Sequence, residues 1–114
     1  MKKCNIKIRI SNNFDTVIGP GKANLLEQII LTGSISSAAK EMNMSYRRAW
    51  ELINTMNQSF DEPIVLSKTG GSHGGGAEVT ELGIKILDLY KVIVTKMLAS
   101  AKNEISLIDH HLKS

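Results

Sequence analysis

Apolar and polar positions change their period several times along the chain. In CNIKIRI, Cys4, Ile6, Ile8 and Ile10 fall on one side and Asn5, Lys7 and Arg9 on the other. That period of two predicts a strand with one buried face, with Cys4 as a small buried hydrophobe. SNNFDTVIGPG reads as a second short extended piece ending at a Gly-Pro-Gly break. The period then becomes helical. Pro20 suits a first helical turn, Leu25, Leu26, Ile29 and Ile30 recur at helical spacing, and Gly33 is a stop signal. Ser34 or Ser36 caps a second helix with Ala38, Ala39 and Met42 inward and Asn43 at its end. Ser45 caps a third, with Ala49, Leu52, Ile53, Met56 and Phe60 as its apolar stripe.

Pro63 ends that third helix. IVLSKT and AEVT are β-prone and enclose GGSHGGG, which predicts a hairpin with a long glycine-rich tip. Thr80 caps a final segment in which Leu82, Ile86, Leu89, Ile93, Met97, Ala101, Ile105, Ile108 and Leu112 recur at intervals of three or four. Leu87, Tyr90, Val94 and Leu98 form a second strip beside it. One helix of roughly 30 residues would reach about 45 Å, too long for a small domain to cover. Its free strip predicts a homodimer, with Leu82, Ile86, Leu89, Ile93, Met97, Ile105 and Ile108 at the seam. The expected organisation is therefore residues 1–80 as one domain with N-terminal strands and residues 81–114 as a dimerisation helix.

Two helices joined by a tight corner, small alanines in the second and Ser-Tyr-Arg-Arg opening the third make a helix-turn-helix signature. With the hairpin as wing, the fold class is mainly α with a small β component: a winged helix-turn-helix with a long C-terminal dimerisation helix. Arg47 and Arg48 suit the two-pronged recognition of guanine. Ser34, Ser36, Ser45 and the helix starts suit phosphate oxygens, and Tyr46 adds a hydroxyl. Lys68, Thr69, Ser72 and His73 lie where a wing touches the backbone or minor groove. Glu51, four residues after Arg47, is expected to pair with it, and Trp50 to pack beside the apolar stripe.

Charge modifies this only slightly. The net charge of +3 is weak, so contact with DNA must be local. The bases Lys2, Lys3, Lys7, Arg9 and Lys22 cluster before the first helix against Asp15 alone. One cysteine allows no internal disulfide and fits a reducing compartment, and charges interrupt every apolar run before membrane length; a cytoplasmic protein without a membrane partner is expected. His73, His110, His111 and Cys4 lack zinc spacing, so no metal or cofactor is expected, and no nucleophile–base arrangement suggests an enzyme. The glycine loop lacks the Gly-Lys-Ser/Thr ending of a nucleotide site.

The motifs "GPGK…LLE.I..TGSIS.AAK.M.MSYR.AW.LI..MN..F" and "GG..GGGA.VT..G", in this order from Ile8 to Tyr90, resemble the N-terminal DNA-binding domain of the ModE family. These are molybdate-responsive transcription factors, related to LysR-type regulators in this domain. The resemblance implies a homodimer joined through the terminal helix, a recognition helix from Ser45 to about Phe60, and a palindromic operator in double-stranded DNA. Family members usually continue into molybdate-binding C-terminal domains, for which 114 residues leave no room. The resemblance then leaves two forms open: a free-standing relative, or half of a split system with a separate effector-sensing protein as partner. The alternatives are a protein-interaction module that does not bind DNA, and the DNA-binding half of a split sensor.

Overall fold

The computed structural model describes residues 4–68 and 76–113. The chain opens with a small antiparallel hairpin, β1 (Ile10–Ser11) and β2 (Thr16–Ile18). Asn12 makes its turn: Oδ1 accepts from the amides of Phe14 and Asp15, both at 2.8 Å. The predicted strand over Cys4–Ile10 is mostly absent. Residues 4–9 belong to no strand, and Ile6 is exposed. A ladder extends only as far as its partner, and β2 offers three residues. Cys4 is half-buried, not a core residue. Its amide donates to the Asp109 carboxylate, and that carboxylate raises the thiol's pKa.

Three helices follow: α1 (Pro20–Thr32), α2 (Ile35–Glu41) and α3 (Tyr46–Ser59). Their ends follow the local chemistry. Pro20 takes the first turn of α1, and Gly33 closes it in the left-handed region at φ 73°. Ser34 accepts from the Ser37 amide at 2.9 Å and Ser45 from the Arg48 amide at 3.0 Å, so each serine caps its helix. Asn43, at φ 54°, turns the chain between α2 and α3. Ala38, Ala39 and Ala49 are fully or almost fully buried. Their small side chains let α2 and α3 approach α1 closely around Leu25, Leu26, Ile29 and Met56.

The wing is β3 (Val65–Lys68) paired antiparallel with β4 (Gly76–Val79), with Val65 opposite Val79 and Lys68 opposite Gly76. Thr80 then caps the next helix by accepting from the Gly83 amide at 3.0 Å, while its hydroxyl donates to the Pro63 carbonyl at 2.7 Å. That helix, α4 (Glu81–Ser100), brings Leu87 and Tyr90 into the same core as the first three helices. The Tyr90 hydroxyl donates to the Ile8 carbonyl at 2.6 Å, and burial pushes its pKa up. Lys91 ties α4 to α1 through Glu27 at 2.7 Å.

The single long helix expected over 81–114 is broken. Ala101 leaves helical geometry at φ −109° and ψ 14°, and α5 (Lys102–His111) starts anew. At the break the Met97 carbonyl accepts both the Ser100 hydroxyl at 2.9 Å and the Ala101 amide at 3.2 Å.

Gly83 packs where no side chain fits: a Cβ there would lie 2.5 Å from the Ile64 carbonyl oxygen. Gly83→Ala is expected to cost about 1–3 kcal/mol in urea unfolding, as overpacking does. Gly21→Ala, whose Cβ would meet nothing within 4 Å, should leave stability unchanged or slightly higher.

Candidate nucleic-acid interface

Helix α3 carries the site. Ala49, Ile53 and Met56 anchor one face in the core, so the opposite face points to solvent. There the Arg47 and Arg48 side chains are 88% and 61% exposed. Glu51 approaches both, Arg47 Nε at 3.3 Å and Arg48 at 4.0 Å, so the expected Arg47–Glu51 pairing is present. An exposed pair of this kind contributes little stability and yields readily to a stronger acceptor. Trp50 departs from expectation. It is 47% exposed, on the flank of α3 that also carries Tyr46.

Ser34, Ser36, Tyr46 and Lys68 line one cleft of 200 Å³ with Ser67 and Gly76. The start of α2, the start of α3 and the root of the wing therefore converge. Lys68 is held by Glu78 at 2.5 Å across the hairpin. Ser45 lies apart from that cleft as the α3 cap. Thr69, Ser72 and His73 lie outside the described residues. On the C-terminal helices, Leu82 and Ile86 lean against the chain's own core. Leu89, Met97 and Ile108 are exposed, and Ile93 and Ile105 are half-buried.

Two positioning features escaped the sequence pattern. Asn57, on the inner side of α3, clamps the wing: its Oδ1 accepts from the Ile64 amide at 2.7 Å and the Val65 amide at 3.1 Å, and its Nδ2 donates to the Val65 carbonyl at 3.0 Å. Gly76 lies against the turn after α1, where a Cβ would sit 2.7 Å from the Gly33 carbonyl oxygen. That oxygen accepts from the Ala77 amide at 2.8 Å. A lone Asn in a helix gives no sign of a partner eight residues away. The Gly76 signal was hidden in a glycine run that reads as a loop.

No protein-family model matches the chain. Among individual proteins, the DNA-binding transcriptional dual regulator ModE of Escherichia coli (strain K12) is 43% identical over 74 residues, which is 65% of this chain and 28% of that protein. The chain carries a ModE-like N-terminal domain. The molybdenum transport protein ModE of Azotobacter vinelandii is 36% identical over 87 residues, covering 76% of this chain and 32% of that protein. The molybdenum-pterin-binding protein MopB of Rhodobacter capsulatus is 39% identical over 93 residues, 79% of this chain and 34% of that protein. The chain thus spans about a third of the length of these ModE-like relatives. The crystal structure of ArgP from Mycobacterium tuberculosis, a LysR-family regulator, superposes with a TM-score of 0.52 at 21% identity over 76% of this chain and 32% of that one. This likeness is one of fold and agrees with a ModE-like winged helix.

Removing the Asn57 clamp strips two amides of their acceptor. Asn57→Ala is expected to cost about 3 kcal/mol, at roughly 1–3 kcal/mol per stranded group. Amide exchange should accelerate at Ile64 and Val65 before the rest of the core; uniform acceleration would contradict a local clamp.

Proposed function

We propose that this chain is a DNA-binding transcription regulator that inserts α3 into the major groove. The carrying observation is the outward face of α3, where Arg47 and Arg48 stand exposed, with a cleft formed by Ser34, Ser36, Tyr46 and Lys68 on one flank. Arg47 and Arg48 read guanine edges after release from Glu51. Ser34, Ser36, Tyr46 and the cap of α3 at Ser45 hold phosphate oxygens, and Lys68 does so after exchanging Glu78 for phosphate. Wing-tip contacts from Thr69 and His73 belong to the same proposal. The Escherichia coli relative is named a DNA-binding transcriptional dual regulator, and that name supports the reading.

We further propose a homodimer closed by the free strip of α4 and α5, where Leu89, Val92, Met97, Leu107 and Ile108 are exposed. So many large apolar side chains exposed along two consecutive helices call for a covering surface. Leu82 and Ile86 support the seam from the core side. Twofold pairing would set two α3 helices about 34 Å apart on an inverted repeat. Among the described residues no helix is long and apolar enough to cross a membrane, which accords with action on DNA in the cytoplasm. The molybdenum in two relatives' names makes molybdenum-linked genes the first candidates for control, with the effector sensed outside these 114 residues.

Selection of duplexes from a random pool is expected to return an inverted repeat. Arg47→Ala or Arg48→Ala should weaken binding to it by about 1–3 kcal/mol each, with folding stability changed by less than about 0.5 kcal/mol. Retention of full affinity by both variants would remove α3 as the reading element. Met97→Lys should shift sedimentation toward single copies and abolish the preference for paired half-sites; an unchanged mass would move the seam elsewhere.

A further inference from the structure

Tyr46, Trp50 and the serine cleft occupy one flank of α3. A second cleft, of 460 Å³, opens on the other. At about 100° per residue, Arg48, Leu52 and Thr55 lie roughly 200° around the helix from Tyr46, and these three form one wall of the second cleft. The opposite wall comes from the N-terminal hairpin and the start of α1: Lys7, Arg9, Asp15 and Lys22. Four cations from three chain segments thus face one carboxylate.

Asp15 in the same cleft offsets only part of this charge. None of Lys7, Arg9 and Lys22 forms an ion pair with a carboxylate among the described residues. Lys22 is only 8% exposed, and its ammonium donates to the Thr16 carbonyl. Burial lowers its pKa, Asp15 opposes that shift, and Arg48 adds to it. Holding like charges together in a half-closed site costs free energy that an anion would return. The start of α1 adds to the field, since Gly19 at its cap offers no side chain to the first amides.

We propose that this cleft holds a DNA backbone phosphate on the flank of α3 opposite the wing. The inference rests on the DNA-binding reading and extends it to Lys7, Arg9 and Lys22. A helix about 10–12 Å across fills a major groove about 12 Å wide, so phosphate rows run along both its flanks. The serine cleft and wing meet one row. Without Lys7 and Arg9, only the buried Lys22 and Arg48, which is already assigned to a base edge, would meet the other.

Two variants separate charge from folding. The double variant Lys7→Gln with Arg9→Gln keeps the side-chain carbons of Arg9 that pack near Gly19. Gly21→Glu puts a carboxylate at the mouth, where a Cβ meets nothing within 4 Å and where an acidic residue suits the first helical turn. Binding is measured against salt on the selected duplex and on one with altered half-sites, alongside thermal melting. For the double variant, the slope of log K against log salt should fall by about 1, the share of the one phosphate that the cleft holds. Gly21→Glu should weaken binding severalfold on both duplexes with melting unchanged or raised. An unchanged slope, or a loss confined to the selected duplex, overturns the cleft proposal while the parent's binding keeps the DNA reading. A parent that retains no duplex overturns both. Titration of the DNA-free parent with inorganic phosphate distinguishes the remaining source: stoichiometric uptake abolished in the double variant, with an unchanged DNA slope, makes this a free-anion site and overturns the proposal.

Discussion

The carbonyl of Gly33 is the point on which the arrangement depends. It belongs to the left-handed stop of α1, and it accepts the amide of Ala77 in the second wing strand. The neighbouring Gly76 has no Cβ, and only so can the strand come this near. One peptide group thereby joins the turn that launches α2 to the strand that forms the wing. Asn57 repeats the joint from the other side, tying α3 to β3. With both joints made, the angle between wing and α3 is a property of the fold, and the serine cleft between them is preformed.

Preformation matters because the surface is electrostatically modest. A net charge of +3 gives little long-range attraction. Affinity must come from a few groups held at the correct spacing, and ordering them in advance lowers the entropy cost of binding. The buried alanines contribute to this by letting α2 and α3 lie close to α1, which fixes the direction in which Arg47 and Arg48 leave the domain. Their contacts with Glu51 are weak enough in solvent to be exchanged for a base or a phosphate.

Features set by near neighbours were legible in the sequence. Pro20, Gly33, Ser34, Ser45 and Thr80 mark helix ends through hydrogen bonds or dihedral limits that act within three or four residues. Features set by distant partners were not. Alternating isoleucines from Cys4 to Ile10 announce a strand, but its length depends on β2, which is short. Recurrence at intervals of three or four through Ala101 is apolar spacing only, and it cannot report that the backbone leaves helical geometry there. Trp50 was expected to pack because it borders the apolar stripe, whereas it stands 47% exposed on the flank of α3. The clustering of Lys7, Arg9 and Lys22 was visible as composition; its placement beside Arg48 required the fold.

The central claim is that the outer face of α3 is the surface that meets DNA. Backbone amide resonances mapped during titration with the selected duplex test it most directly. The largest changes should fall on 34–36, 45–51 and the wing root at 67–68, with α4 and α5 changing little once dimeric protein is used as the reference. Changes confined to α4 and α5, or no change at residues 45–51 while the duplex is bound, would contradict it.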